Sequence, residues 1–170
     1  IEYGTTVKIG YFRQADQGVD LNMRVIDYIE EVSKVIEYDR MTLSASQMLE
    51  RFLFPRNMHY TTLSRLSGGE RRRLYLLRVL MQEPNILLLD EPTNGLDPQA
   101  IIDLRRKLLD IRNDGTSILL SSHQLSEVDK LVDRIIFIKD GQLIAHKTID
   151  ELHQKHISLS LIHISEPTRP

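Results

Sequence analysis

The sequence contains no cysteine and no tryptophan, and none of its apolar runs is longer than four residues. The lack of cysteine excludes a disulfide framework and thiol chemistry. Apolar runs this short exclude a membrane span or a secretory signal within the sequence. A formal net charge of −2 over 170 residues argues against bulk affinity for a polyanion. These bounds are typical of a chain that can bury one hydrophobic core.

A further absence concerns nucleotide phosphates. The pattern GxxxxGK[ST], whose backbone N–H groups and lysine hold the β and γ phosphates of a nucleotide, occurs nowhere in the sequence. The sequence therefore lacks the backbone nest and the lysine with which a site of this type counters phosphate charge.

Two adjacent glycines mark the start of a predicted helix. Residues 66–70 read LSGGE, in which Ser67 is a good N-cap and Glu70 lies three positions later, a spacing that predicts a capping box. An ordinary capped helix is the simpler interpretation, but it does not explain Gly68 and Gly69, because glycine lowers helix stability. Bare N–H groups at a helix N-terminus attract anions. The segment therefore predicts a surface for phosphate oxygens. The apolar positions that continue the helix are Leu74, Leu77 and Leu80.

The run of basic residues that follows the glycines has two interpretations. Arg71, Arg72 and Arg73 are consecutive. We interpret them as a solvated helix face that contributes to phosphate-side electrostatics, and a nucleic-acid patch is the alternative.

Two carboxylates stand at the end of a predicted strand. Residues 86–89 form a continuous apolar run that is closed by Asp90 and Glu91, as expected of a buried parallel strand whose carboxyl end faces a ligand. Pro92 keeps Glu91 out of the helical region, so the chain leaves the sheet there. A solvated strand end is the simpler interpretation. Alternatively, Asp90 holds a magnesium shell through water, and Glu91 orients or deprotonates an attacking water.

With these elements in place, the sequence resembles the ATP-binding cassette (ABC) ATPases over residues 4–152. The motifs occur in the order found in that family, which is a stronger signal than any one of them alone. They are Gln14 in GYFRQ (the Q-loop), LSGGE at 66–70 (the signature), ILLLDEPTN from Ile86 (the Walker B strand), GLD ending at Asp97 (the D-loop) and His123 in SSHQL (the switch histidine).

The resemblance implies a role for each matching residue, with ATP and Mg²⁺ as cofactors. Glu91 would be the catalytic carboxylate and His123 the sensor of the γ-phosphate. Asp90 and Gln14 would position the magnesium ion and water. The signature would complete the nucleotide site of a second ABC nucleotide-binding domain in a head-to-tail dimer. Asp97 would link the two domains of the dimer. In all, the resemblance implies six residues that bind the cofactor or lie at the dimer contact: Gln14, Ser67, Gly68, Gly69, Glu70 and Asp97.

The family resemblance also predicts that the chain is a fragment. The phosphate loop of the family should precede Gln14 by several tens of residues, but only thirteen residues precede it here. We expect an α/β fold with the parallel sheet of P-loop NTPases, truncated because the Walker A strand, loop and helix are missing, and with an inserted helical subdomain. The parent would be an ATP hydrolase, whereas the isolated chain would neither bind MgATP tightly nor hydrolyse it.

The predicted organisation has four parts. Residues 1–20 would be a sheet segment with the Q-loop, 21–65 the helical subdomain, 66–156 the ATPase core and 157–170 a non-native or disordered tail. Within the helical part, Val25, Ile29, Val32 and Ile36 recur at helical spacing, and residues 44–54 predict a second helix stopped by a proline.

Local signals predict the remaining elements. Residues 7–13 read as a strand, Asp97 caps the helix that starts at Pro98, and residues 116–121 read as the following strand. Residues 134–139 and 142–146 flank Asp140 and Gly141, a preferred hairpin turn. Thr148 with Glu151 predicts another capping box.

The two halves of the sequence resemble different branches of the family. The segment from GTTVKIGYFRQ through LSGGERRRLYLLRVLMQEPN is similar to the second cassette of an ABC-F protein. ABC-F proteins are the soluble branch of the family that works on ribosomes. The text after DEPTN is similar to the ATP-binding subunit of a multidrug, antibiotic or lipid exporter, since GLD and SHQL stand where an ABC-F protein more often has DLD and SHDR. The tail LSLIHISEPTR resembles a translated sequencing adapter and is excluded from fold reasoning.

Two functional hypotheses follow. In the first, the chain is part of a cytoplasmic ATP-binding protein that couples ATP binding and hydrolysis to movement of a partner, either a membrane permease at the cytoplasmic face of the membrane or the ribosome. In the second, it is a chimeric or truncated open reading frame with no activity of its own.

Overall fold

The computed structural model describes residues 4–13, 18–38, 41–123 and 131–154. The chain divides into two compact units, Ile1–His123 and Gln124–Pro170. The first unit contains a three-stranded sheet, a two-stranded hairpin and several helices, and the second contains another hairpin followed by a short helix. Within the described ranges, no helix combines the length and the apolar character needed to cross a bilayer.

The central sheet of the first unit is parallel, as predicted. Its strands are β1 (Ile9–Phe12), β4 (Ile86–Asp90) and β5 (Ser117–Ser121), in the spatial order β1-β4-β5. Leu88 lies opposite Tyr11 on one side and Leu119 on the other. Because neighbouring strands run in the same direction, their carboxyl ends meet at one edge of the sheet.

One face of this sheet is buried and the other is largely exposed. Phe12, Leu87 and Leu89 are at most 2% exposed, whereas Tyr11 and Leu119 on the opposite face are 44% and 60% exposed. We call the second side, formed by Ile9, Tyr11, Leu88 and Leu119, the open face. A parallel sheet normally has both faces covered, so the open face is unusual for this fold class.

Helix α3 (Gly68–Leu80) packs closely on β1 of the sheet. The rings of Phe12 and Tyr75 stack with centroids 5.0 Å apart. A Cβ atom at Gly10 would lie 2.8 Å from Val79 Cγ1, so only glycine lets the helix approach the strand this closely without rearrangement. The predicted apolar positions of the helix, Leu74, Leu77 and Leu80, are all buried.

The segment between the Q-loop and the signature is not helical throughout, which corrects the prediction for residues 21–65. Helix α1 (Val25–Glu30) is followed by an antiparallel hairpin of β2 (Val35–Tyr38) and β3 (Met41–Ser44). Ile36 is therefore buried as a residue of a strand and not of a helix. Short apolar runs satisfy helical and strand periodicity alike, and β-branched and aromatic residues favour the strand. Ser33 also competes with the helix, since its hydroxyl donates to the Val35 carbonyl at 2.5 Å.

The second predicted helix of this segment exists but is shorter than expected. Helix α2 spans Ala45–Arg51, and its N-cap Ser44 forms a capping box with Gln47. The helix ends before the proline because Leu53 adopts a left-handed φ of 65°. Two short 3₁₀ turns, Arg56–Met58 and Leu63–Arg65, then lead to the signature. The boundaries predicted for the four parts of the chain stay predictions.

The remaining elements follow their local signals. Helix α4 (Pro98–Asn113) starts at its predicted cap Asp97. In the second unit, β6 (Arg134–Lys139) and β7 (Gln142–Thr148) pair antiparallel around Asp140 and Gly141, both with positive φ, as the predicted turn requires. Thr148 and Glu151 form the predicted reciprocal bonds at the start of α5 (Ile149–Gln154). The predicted tail, residues 157–170, lies outside the described residues.

The unequal burial of the two sheet faces makes a testable prediction. Leu87→Ala should lower the free energy of unfolding by about 2–5 kcal/mol, because it leaves a cavity in the buried face. Leu119→Ala, on the open face of the neighbouring strand, should change it by no more than about 0.5 kcal/mol. Urea unfolding of both variants measures the difference. Equal costs would show that the open face is covered in solution.

Candidate active site

The carboxyl ends of β4 and β5 place two carboxylates beside a serine. Asp90 and Ser121 lie opposite each other in the parallel register. The Ser121 hydroxyl donates to Asp90 Oδ1 at 2.8 Å and accepts the Glu91 backbone N–H at 3.0 Å. One side chain thus fixes the direction of the first carboxylate and the main chain of the second. No local pattern in the sequence marks Ser121 for this role, because its partner is 31 positions away.

Glu91 occupies a strained backbone conformation at the point where the chain leaves the sheet. Its φ is 46°, in the left-handed region. Pro92 was predicted to keep Glu91 out of the helical region, but the left-handed turn itself was not predicted. A non-glycine residue in this conformation costs about 1–3 kcal/mol and persists only where its surroundings hold it. Strain of this kind is often found at functional sites.

The side chain of Glu91 turns towards His123. His123 Nδ1 lies 2.8 Å from Glu91 Oε2, with the histidine side chain 65% exposed and the glutamate 19% exposed. Because a carboxylate oxygen only accepts, Nδ1 carries the proton in this contact. The contact holds the imidazole in one orientation. The structure thus brings together Glu91 and His123, for which separate sequence motifs predicted catalytic roles.

Arg72 reaches this strand end from helix α3. Its Nε donates to the Pro92 carbonyl at 3.0 Å and its Nη2 to the Glu91 carbonyl at 2.5 Å. The guanidinium also lies over the Phe12 ring, 4.9 Å from the centroid. Burial lowers the pKa of Arg72, while the charges of Asp90 and Glu91 raise it to a lesser extent.

The environments of two arginines correct the interpretation of the basic run as a solvated face. Arg72 is half-buried against β1 and the end of β4. Arg73 pairs with Asp103 at 3.8 Å, and both side chains are less than a fifth exposed. Arg71 is exposed, as the interpretation expected. Helix α3 faces the sheet on one side and α4 on another, so consecutive residues cannot all reach solvent.

The glycine-led end of helix α3 is exposed and capped as predicted. Ser67 Oγ accepts the Glu70 N–H at 3.2 Å, and Glu70 Oε2 accepts the Ser67 N–H at 2.7 Å. A Cβ at Gly68 would meet nothing within 4 Å, whereas one at Gly69 would lie 3.6 Å from Asp97 Oδ2. The helix tip is therefore open at Gly68 and close to the start of α4 at Gly69. Open backbone of this kind suits an anion.

The predicted D-loop residue has a visible structural role. The Asp97 carboxylate accepts the Ala100 N–H at 3.0 Å and so caps α4. Its proposed contact across a dimer remains a prediction. Gln14, predicted for magnesium and water, lies outside the described residues. Within the described ranges, no group of three or more His, Asp or Glu side chains could hold a metal by itself.

A groove of about 360 Å³ runs beside the helix tip. Its walls are mostly apolar, and two arginines of α3 contribute positive charge. The lining residues include Val19, Leu21, Tyr28, Leu63, Arg71, Arg72, Tyr75, Asn94 and Gly95. The groove contacts the signature at Gly68, and Arg72 is shared between its wall and the strand-end cluster, whereas the carboxylates of β4 do not line it.

Comparison with known proteins identifies the family. A family model described as ABC transporter matches residues 4–94. The chain belongs to the ABC transporter family. The fold agrees: the dimeric post-hydrolysis structure of an ATP-binding cassette bound to ADP and Pi superimposes with a TM-score of 0.67 at 23% identity, covering 84% of this chain and 63% of that one.

Curated members of the ABC family are considerably longer than the chain. The uncharacterized ABC transporter ATP-binding protein YfmR of Bacillus subtilis (strain 168) is 45% identical over 147 residues, which are 85% of this chain and 23% of that protein. The daunorubicin resistance ATP-binding protein DrrA3 of Streptomyces coeruleorubidus is 41% identical over 113 residues, which are 66% of this chain and 35% of that protein. The chain thus spans about a quarter and about a third of their lengths.

The hydroxyl of Ser121 should contribute measurably to the order of this site. Ser121→Ala removes the acceptor of the Glu91 N–H and a donor to Asp90, and should lower the free energy of unfolding by about 1 kcal/mol. Ser117→Ala, at the other end of the same strand, is the matched control and should change it by less than about 0.5 kcal/mol. Urea unfolding measures both. An unchanged free energy of unfolding for Ser121→Ala would show that the two hydrogen bonds of the Ser121 hydroxyl make no net contribution to stability.

Proposed function

We propose that the chain is the part of an ABC nucleotide-binding domain that carries the signature and the catalytic carboxylate. In the full-length protein, this domain hydrolyses ATP and couples hydrolysis to movement of a partner. The observation that carries the proposal is the 2.8 Å contact between Glu91 and His123 at the carboxyl end of β4. Ligands of open α/β sheets bind at this edge.

The geometry supports a division of labour between the side chains. Glu91, held by its main chain and by His123, orients an attacking water and accepts its proton. His123 contacts the γ-phosphate from the end of β5. The exposed tip of α3, with Ser67, Gly68, Gly69 and Glu70, offers backbone N–H groups to the phosphates of a nucleotide on a second copy of the domain.

Magnesium has a partial set of donors in this chain. Asp90 and Ser121 supply oxygen atoms of the kind that Mg²⁺ prefers, and we propose that Asp90 holds the ion through a water molecule, with Gln14 contributing. When bound, the ion neutralises charge on the β and γ phosphates. The remaining contacts would come from the phosphate loop, which this sequence does not contain.

We further propose that the open face packs against the segment that carries this phosphate loop in the full-length protein. Exposed Tyr11 and Leu119 form an apolar side that a second helical layer would cover. The size of the relatives supports the presence of such a segment, because the chain spans 23% and 35% of them. The head-to-tail dimer then completes each nucleotide site, and the solved cassette with ADP and Pi is dimeric.

Incompleteness of the site predicts weak nucleotide binding by the chain alone. The 170-residue polypeptide should show no saturable MgATP binding up to about 1 mM in calorimetry. It should also release no phosphate above background, because it lacks the loop that holds the β and γ phosphates. The full-length protein, assayed in the same buffer, is the positive control. Measurable turnover by the purified chain would contradict the proposed division of the site.

The role of Glu91 predicts a separation of binding from turnover. In the full-length protein, Glu91→Gln should keep ATP affinity and lower kcat by at least about 100-fold, the scale of a lost general base. Glu30→Gln, which removes an exposed carboxylate at the end of α1, is the matched control and should keep turnover. Steady-state ATPase assays and nucleotide-binding titrations measure the two effects. Full turnover by Glu91→Gln would refute the proposed function.

Two classes of partner remain proposals. The relative named for daunorubicin resistance favours a permease, and the partly apolar groove beside α3 could receive a short segment of it. The aligned 147 residues are only 23% of the other relative, so that protein is long enough for two cassettes, as expected of the ribosome-associated ABC-F branch. Sequence upstream of this chain would decide, because ABC-F proteins carry a preceding cassette and a charged linker.

The alternative proposal is a chimeric or truncated open reading frame with no activity of its own. A single relative aligns over 147 of the 170 residues, an alignment that must include both sides of the proposed junction near Asn94. A chimera of two ABC cassettes would align in the same way, because both halves carry the motifs of one family. Sequencing the source locus with adapters trimmed is the test: a different frame after Asn94 would support the alternative, a continuous frame through Asn94 would refute it, and an altered C-terminus alone would change only the tail.

A further inference from the structure

We propose that Arg72 is a positioning residue that holds the main chain of the catalytic carboxylate Glu91 in its strained conformation. The inference deepens the proposed function and rests on it, since Glu91 matters to turnover only if the site hydrolyses ATP. It assigns a role in the site to a side chain that the sequence pattern placed in solvent.

The geometry of the guanidinium fits this role. Two nitrogens of the same planar group donate to consecutive carbonyls, those of Glu91 and Pro92, at 2.5 Å and 3.0 Å. These carbonyls belong to the turn in which Glu91 has φ of 46°. A fork of two donors in one plane fixes the relative direction of both carbonyls, which a single donor cannot do.

The guanidinium is itself held in place by its surroundings. The guanidinium lies over the ring of Phe12 in β1, and the Phe12 ring also stacks on Tyr75 of α3. Phe12 is fully buried, so its packed ring gives the guanidinium a fixed surface. A side chain that is anchored in this way loses little further freedom when it bonds the turn, so it can offset the strain at Glu91 effectively.

The fork acts on catalysis through the direction of the Glu91 side chain. The Ser121 hydroxyl bonds the N–H of Glu91 and Arg72 bonds its carbonyl, so both ends of this residue's main chain are fixed. The carboxylate then meets His123 at 2.8 Å. Release of the carbonyl would let Glu91 return to an unstrained φ, and its carboxylate would turn away from His123 and from the attacking water.

The same arginine connects the two parts of the site. Arg72 lies five positions after Ser67 on a continuous 13-residue helix, whose exposed tip is the proposed phosphate clamp. A helix transmits displacement along its length because each turn is hydrogen-bonded to the next. The position of the helix tip is thus linked mechanically to the backbone of Glu91.

The chain offers a closely matched control on the same helix. Arg78 also donates to a backbone carbonyl, that of Tyr28, and lies over the Tyr28 ring at 4.2 Å. It also bonds Glu31 at 3.1 Å. Arg78 therefore has the same kind of contacts as Arg72, but they tie α3 to α1 instead of to the end of β4. Loss of either arginine should affect stability, and only loss of Arg72 should affect Glu91.

The first experiment uses the 170-residue chain without nucleotide. In ¹⁵N-labelled protein, Arg72→Gln should shift the Glu91 amide and the His123 ring nitrogens, while Arg78→Gln should shift signals near Tyr28 and Glu31 and leave those two in place. Arg72→Lys keeps the charge without the fork and should behave like Arg72→Gln. Folded Arg72→Gln protein whose Glu91 and His123 signals keep their wild-type positions would overturn the inference. Wild-type positions of these signals in Arg72→Lys would overturn it as well, because lysine lacks the fork.

The second experiment measures turnover in the full-length protein. Arg72→Gln should lower kcat by about 10- to 100-fold, the scale of a misplaced catalytic group, with KM for ATP changed by less than about twofold. Arg78→Gln should retain kcat. A rise in KM with unchanged kcat would overturn the positioning role. If Glu91→Gln itself keeps turnover, the proposed function fails, and the nucleotide-free spectra still decide whether Arg72 holds Glu91.

Discussion

The parallel pairing of β4 with β5 is the constraint on which the candidate site depends. Because Asp90 is registered opposite Ser121, one hydroxyl can bond both the Asp90 carboxylate and the Glu91 N–H. A slip of one residue would turn the Ser121 side chain to the other face of the sheet and break both bonds. His123, two residues further along, would then no longer lie beside Glu91. The arrangement of these side chains is thus a consequence of strand register.

Strain at Glu91 separates this strand end from an ordinary one. The residue has a positive φ next to a proline, and the surrounding groups hold it from both sides, with Ser121 at its N–H and Arg72 at its carbonyl. Proteins tolerate such conformations where function requires a particular side-chain direction. Arg72 belongs to the helix whose exposed tip carries the paired glycines, so the two parts of the site are joined through one helix and not only through the sheet.

The sheet and the candidate site each lack one part. One face of the sheet has its helix layer, whereas Tyr11 and Leu119 leave the other face apolar and exposed. The sequence likewise contains the signature, the carboxylates and the histidine but no phosphate loop. Both observations fit membership of the ABC transporter family, because the chain spans only 23% and 35% of two longer relatives. The chemistry proposed for the chain is therefore that of one part of a larger nucleotide site.

Local sequence determined the features that depend on neighbouring residues. The capping box of Ser67 and Glu70, the cap Asp97 and the turn at Asp140 and Gly141 follow from interactions within four positions. The apolar run at 86–89 indicated a strand, and the ordered motifs pointed to the family. Tertiary structure decided the rest. The hairpin at 35–44 displaced a predicted helix, because short apolar runs fit either period and packing selects between them. The roles of Ser121 and Arg72 arise from partners 31 and about 20 positions away, which no local pattern encodes.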